Sequence, residues 1–168
     1  MKSILIRKPV LIVHSVFIVI LLGVVFPFLI GDLKTFDVMY QGYSWYDVKH
    51  ILESHGPQGR LRYYYVSRYL DNILPIIYTS FLLGVIFSLN LDHNSKLKNK
   101  IIKNILVILS ISAALCDWLE NHCISQFLLA YPDISISLVE LASCCTIIKW
   151  LSLALTSIGI SLVVMLRG

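Results

Sequence analysis

Charge is scarce in this chain of 168 residues: 14% are Asp, Glu, Lys or Arg, against 57% hydrophobic. About a quarter of the residues of an ordinary soluble domain are charged. Here the shortage is concentrated in long uncharged blocks, which excludes a water-facing globular fold, as does the mean hydropathy of +0.78. Cys-x-x-Cys is also missing. Cys144 and Cys145 are adjacent, and Cys116 and Cys123 on one helix would stand about 10 Å apart along its axis, so neither pair is a redox couple. Only Cys123 with Cys144 or Cys145 could meet across a short connection, and buried structural thiols are the simpler reading. His14, His50, His55, His93 and His122 are scattered and form no metal-binding spacing, no dedicated motif supports a hard cation at Asp71, Asp117 and Glu120, and no metal or cofactor is expected. There is no nucleophile motif, internal repeat or low-complexity linker, and residues 1–168 read as a single integral membrane domain.

Two blocks, Val10 to Ile30 and Ile73 to Leu91, contain no Asp, Glu, Lys or Arg and are each long enough to cross a hydrocarbon core of ~30 Å. A third apolar block runs only from Ile105 to Cys116, so a span there must carry Asp117 and Glu120 with it. The fourth, Leu141 to Leu166, spans only with Lys149 inside. The expected fold is all-α, a polytopic four-helix bundle with spans at about 9–30, 68–91, 101–124 and 141–166. Lys2, Arg7 and Lys8 before the first block resemble a signal peptide, but the apolar run is too long and no small-x-small site follows, so a retained helix is expected.

Lys96, Lys98, Lys100 and Lys103 lie between the second and third spans, whereas Asn121 to Glu140 has no Lys or Arg. Positive charge stays on the cytoplasmic side, so both termini are expected there, in a cell, inner or endomembrane. These lysines account for the formal net charge of +4 and read as contacts to anionic lipid rather than to nucleic acid.

In the first outer loop Ser44 and Asp47 form a capping-box-like start, Val48, Ile51 and Leu52 follow at helical spacing, and Gly56-Pro57 is a stop. A short amphipathic helix over 45–55, lying along the interface and capping the bundle, is expected. Beyond it, Tyr63 to Tyr65 suit an aromatic belt. Pro75 frees the carbonyl of Asp71, which predicts a kink.

The polar residues of three spans fall on single helical faces. Asp117, Glu120 and Asn121 continue the small face of Ser110, Ala113 and Ala114. Lys149 interrupts the small face of Ala142, Cys145, Ser152, Thr156 and Gly159. Arg68, Asp71, Pro75 and Tyr78 share a third. Counting ~1.5 Å per residue puts the ionisable groups in one layer, in the outer third of the bilayer. In one reading Lys149 pairs with Asp117 or Glu120 and only holds the bundle in register. In the other the excess of carboxylates over Lys149 matters: one must find Arg60, Arg62 or Arg68, bind a cation, or keep its proton.

Gly56-x-x-Gly59-Arg60-x-x-Tyr63, Leu70-Asp71-x-x-x-Pro75-x-x-Tyr78, Asp117-x-x-Glu120-Asn121 and Ala142-Ser143-x-x-Thr146-x-x-Lys149-Trp150 resemble the pattern of a family of small four-helix integral membrane proteins without an established activity. The resemblance covers residues 42–150. It implies that Arg60, Asp71, Asp117, Glu120, Asn121 and Lys149 belong to a shared motif, and it supplies no substrate.

Three functions follow from these residues. The first is binding of a lipid or other amphipathic molecule by Arg60, Asp71, Tyr78, Asp117, Glu120, Asn121 and Lys149. The second is an enzyme using Asp117, Glu120 and Lys149 as acid and base on a lipid or isoprenoid head group, with Arg60 and Arg62 steering a phosphate. The third is a structural subunit. The expected partners are membrane lipid and a second copy of the chain in a homo-oligomer.

Overall fold

The computed structural model describes residues 8–89, 91 and 97–166. Lys2, Arg7 and Lys96, which carry part of the topology reading, and His93, named among the scattered histidines, lie outside them. Among the described residues the chain is helical without strands, and four stretches are long and apolar enough to cross a membrane: Pro9–Ile30, Trp45–Ser88, Asn99–Ala130 and Ile136–Met165. This is the all-α, four-helix bundle that the apolar blocks indicate.

The first stretch comprises α1 (Lys8–Ile20), a π-helical turn (Leu21–Val25) and α2 (Phe26–Ile30). Pro27 lacks the amide that would continue a regular helix, and the wider turn precedes it. Most side chains of this stretch face outward, and its main neighbour is α4 (Leu74–Ser88). Arg62 closes its end by donating from Nε to the Leu29 carbonyl and from Nη2 to the Phe28 carbonyl at 3.1 Å. A cation is favourable at a helix C-terminus.

Helix α3 (Trp45–Tyr65) opens on the Ser44–Asp47 capping box. At Gly56, with φ 61° and ψ 177°, the helix breaks, and Pro57 begins its second part. The amphipathic helix thus ends where the sequence indicates, but the second span starts well before residue 68. The chain stays helical from Pro57 to Tyr65 and enters a π-helical turn at Val66–Leu70. That turn shifts the phase of the face. Asp71 and Pro75 are buried, but Arg68, expected beside them, is exposed.

Helices α5 (Leu97–Ala130) and α6 (Ile136–Met165) also run past their expected limits and form an antiparallel pair. The 34 residues of α5 span about 50 Å, more than a ~30 Å hydrocarbon core. At the hairpin end Cys123, Ile124, Phe127 and Leu128 pack with Phe36, Tyr43, Val48, Ile51, Leu52 and Tyr63, so the loop and α3 give the helix ends a core of their own. Along the pair the small faces meet. Ser110, Ala113 and Ala114 of α5 and Ala142, Cys145, Ser152 and Thr156 of α6 are buried, and Leu106 lies against Gly159.

Candidate functional site

Four elements bring charge to one place. From α6, the Lys149 ammonium stands 2.8 Å from Asp37 Oδ1, 3.2 Å from Asp117 Oδ1 and 2.6 Å from Glu120 Oε2. The first two are aligned hydrogen bonds. The third lies off the donor direction and is an ion-pair contact. Glu120 is fully buried, and its Oε1 accepts a hydrogen bond from the Thr146 hydroxyl at 2.6 Å. An ammonium with three donors among three carboxylates is the arrangement in which burying that charge is tolerable. Lys149, Asp117 and Glu120 therefore meet, as their helical faces require.

Asp37 was not among the residues the sequence singles out. It belongs to a 3-10 turn (Phe36–Val38) in the loop after α2. Phe36 is fully buried, and its ring lies 4.9 Å from Tyr43, 5.9 Å from Tyr63 and 5.8 Å from Phe127, centre to centre. The Phe36 amide donates to the Tyr63 hydroxyl at 3.1 Å, and the Trp150 indole donates to the Asp37 carbonyl at 2.9 Å. The loop is pinned farther on, where the Tyr43 amide donates to Ser143 Oγ at 2.8 Å. Gly42 allows that approach: its φ is +87°, and a Cβ there would stand 2.6 Å from Ser143 Oγ. Asp37 is placed by aromatic burial and by contacts far away in sequence. The one signal available was that Asp37 is an acidic residue of the first outer loop, where no helical periodicity assigns it a face.

Asp71 and Asn121 join the cluster through the break before α4. The Asn121 amide donates to the Asp71 carbonyl at 3.2 Å and reaches Asp117 Oδ1 at 3.4 Å. The Trp118 indole donates to the Asn72 carbonyl at 2.9 Å. Carbonyls left unpaired by Pro75 and the π-helical turn are thus satisfied from α5. At the place where Pro75 predicts a kink, Asp71 to Ile73 form a turn that interrupts the helical hydrogen-bond ladder between the π-helical turn and α4, with Asp71 and Ile73 still at helical dihedrals.

A cavity of about 650 Å³ opens beside the cluster. Asp37, Asp71, Tyr78, Asp117 and Lys149 line its polar part. Ile18, Leu22 and Phe26 of the first stretch, Leu74, Phe81 and Leu82 of α4 and Leu153 of α6 line the rest. The Tyr78 hydroxyl, buried beside Asp117, makes no well-aligned hydrogen bond.

Arg60 is not part of this geometry. Its Nη1 donates to the Leu52 carbonyl at 2.9 Å, and its guanidinium lies 4.0 Å from the centre of the Tyr131 ring. It closes the first part of α3, whose last carbonyls lack helical donors beyond Gly56. With Arg62 at the end of α2 and Arg68 exposed, no arginine among the described residues lines the cavity. All four cysteines are free thiols. Comparisons with protein-family models, with curated proteins and with solved structures found no match.

Proposed function

We propose that the protein is an integral membrane protein that binds an amphipathic small molecule, a membrane lipid or a compound shaped like one. Its polar head rests among Asp37, Asp71, Asp117 and Lys149, and its apolar part lies against the first stretch and α4. Both termini face the cytoplasm, with the turn between α5 and α6 on the opposite side, as the lysines around the start of α5 and the absence of Lys and Arg from Asn121 to Glu140 favour. The carrying observation is the cavity itself, apolar over most of its wall and ending in buried charge.

The enzyme reading draws on the same carboxylates and lysine, but it loses its phosphate-steering groups, because Arg60 and Arg62 are engaged at helix ends. A purely structural cluster would need no cavity beside it. The test is native mass spectrometry of protein extracted in a mild detergent. A retained amphiphile is expected, and Leu82→Phe, which narrows the cavity, should release it while the melting temperature stays within a few degrees. If bulk phospholipid alone is recovered, at equal levels from both proteins, the binding reading fails.

A further inference from the structure

The geometry points to a cationic head group: we infer that the cavity takes an amphipathic amine, its ammonium against the Asp71 carboxylate and its chain along Leu74, Phe81 and Leu82. This rests on the amphiphile-binding reading above and names the chemistry of the head.

The argument starts from partners. Asp37, Asp117 and Glu120 each pair with Lys149, the first two through aligned hydrogen bonds and Glu120 as an ion-pair contact, and Asp71 is not among its partners. Asp71 is only 5% exposed and lines the cavity, yet among the described residues its carboxylate has neither a hydrogen bond nor an ion pair. A buried carboxylate without a direct partner is costly unless a cation pairs with it or it keeps its proton. Among the described residues no arginine lines this cavity, and Lys149 is its one basic lining residue.

Candidate heads differ in what they bring to Asp71. An anionic head would add a like charge beside Asp37, Asp71 and Asp117. A neutral hydroxyl brings one hydrogen bond and no charge. An ammonium brings a full charge and several N–H donors, and the Tyr78 hydroxyl, also without a well-aligned partner, offers a second acceptor. A metal ion fits less well. Oxygens of Asp37, Asp117 and Glu120 lie within 4.8 Å of one another, but the Lys149 ammonium already stands among them. The protein thus holds one alkylammonium of its own among three carboxylates and leaves a fourth carboxylate open on the cavity side.

Dodecylamine, dodecanol and dodecanoate, offered at equal concentration to the full-length protein in a neutral detergent and read by native mass spectrometry, test this. Charge-assisted hydrogen bonds imply that the amine is retained about ten- to a hundredfold over the alcohol, and the acid least. Asp71→Asn should bring amine and alcohol to equal retention, whereas Asp133→Asn, at an exposed carboxylate, should leave the preference intact. Equal retention of all three by the wild-type protein overturns the amine assignment and leaves the amphiphile reading standing. Retention of none overturns both. A preference for the amine that survives in a folded Asp71→Asn protein overturns the role given to Asp71. The wild-type comparison decides the head-group chemistry whether or not that variant folds.

Discussion

The Asp71 carbonyl accepts a hydrogen bond from the Asn121 side-chain amide at 3.2 Å, and this carbonyl is the one that Pro75, four residues on, leaves without a helical donor. Pro75 breaks the helix, and Asn121, fifty positions beyond Asp71, repairs the break. Removing the amide with Asn121→Ala leaves a buried carbonyl unpaired, a loss of about 1–3 kcal/mol. Pro75→Ala restores a potential donor at the right position, so in its background the same loss should shrink by about 1 kcal/mol. Unfolding of the four proteins in detergent measures the coupling, and strict additivity would show that Pro75 does not create the need for Asn121.

Lys149→Met should be among the most damaging single changes. It leaves Asp37, Asp117 and Glu120 facing one another without a cation, and breaking a buried pair in this way costs about 3–5 kcal/mol. Adding Glu120→Gln, which removes the most deeply buried of the three charges, should recover part of that loss. Thermal melts of the single and double variants settle the sign, and a double variant less stable than Lys149→Met would refute the pairing.

The part of the site that lies on helices could be read from the chain; the part on a loop could not. Asp117, Glu120 and Lys149 follow from helical periodicity, because a charge within an apolar stretch must face inward. Proline chemistry foretells the break before α4. Asp37 obeys neither rule. Its place depends on the burial of Phe36 against Tyr63 and Phe127 and on a contact between Gly42 and Ser143, pairings that no local pattern encodes. Arg60 and Arg68 mislead for related reasons. Arg60 is drawn to the Leu52 carbonyl near the end of the first part of α3, and the π-helical turn rotates Arg68 off the face that a regular helix would give it.

Gly42→Ala tests how the loop is held. The residue's φ of +87° disfavours any side chain, and the added methyl would stand 2.6 Å from Ser143 Oγ and 2.9 Å from Ile147. The loop must lift away there, which loosens Asp37 from Lys149 while leaving the α5–α6 pair in place. Hydrogen–deuterium exchange should rise over residues 33–44 and stay unchanged over 139–160. A uniform rise across both regions would mean that the loop and the helix pair unfold together.

Orientation can be checked with impermeant thiol reagents. The loop tip at Gly42 is packed against α6 and is a poor labelling position, whereas Tyr46, 79% exposed at the hairpin end of the bundle, is a good one. Lys100, exposed near the start of α5, marks the opposite end. In a background with Cys116, Cys123, Cys144 and Cys145 replaced by Ser, Tyr46→Cys should react in intact cells, and Lys100→Cys only after permeabilisation. The physical reason is the retention of lysine-rich segments on the cytoplasmic side: four lysines cluster at the Lys100 end and none lies between Asn121 and Glu140. The loop and α3 carry cations of their own in Lys34, Lys49, Arg60 and Arg62, but Arg60 and Arg62 are bound to carbonyls at helix ends, and Lys34 and Lys49 each sit two residues from an acid in sequence, Asp32 and Asp47. The lysines before α5 should therefore dominate, and reaction of Lys100→Cys but not Tyr46→Cys in intact cells would invert the topology.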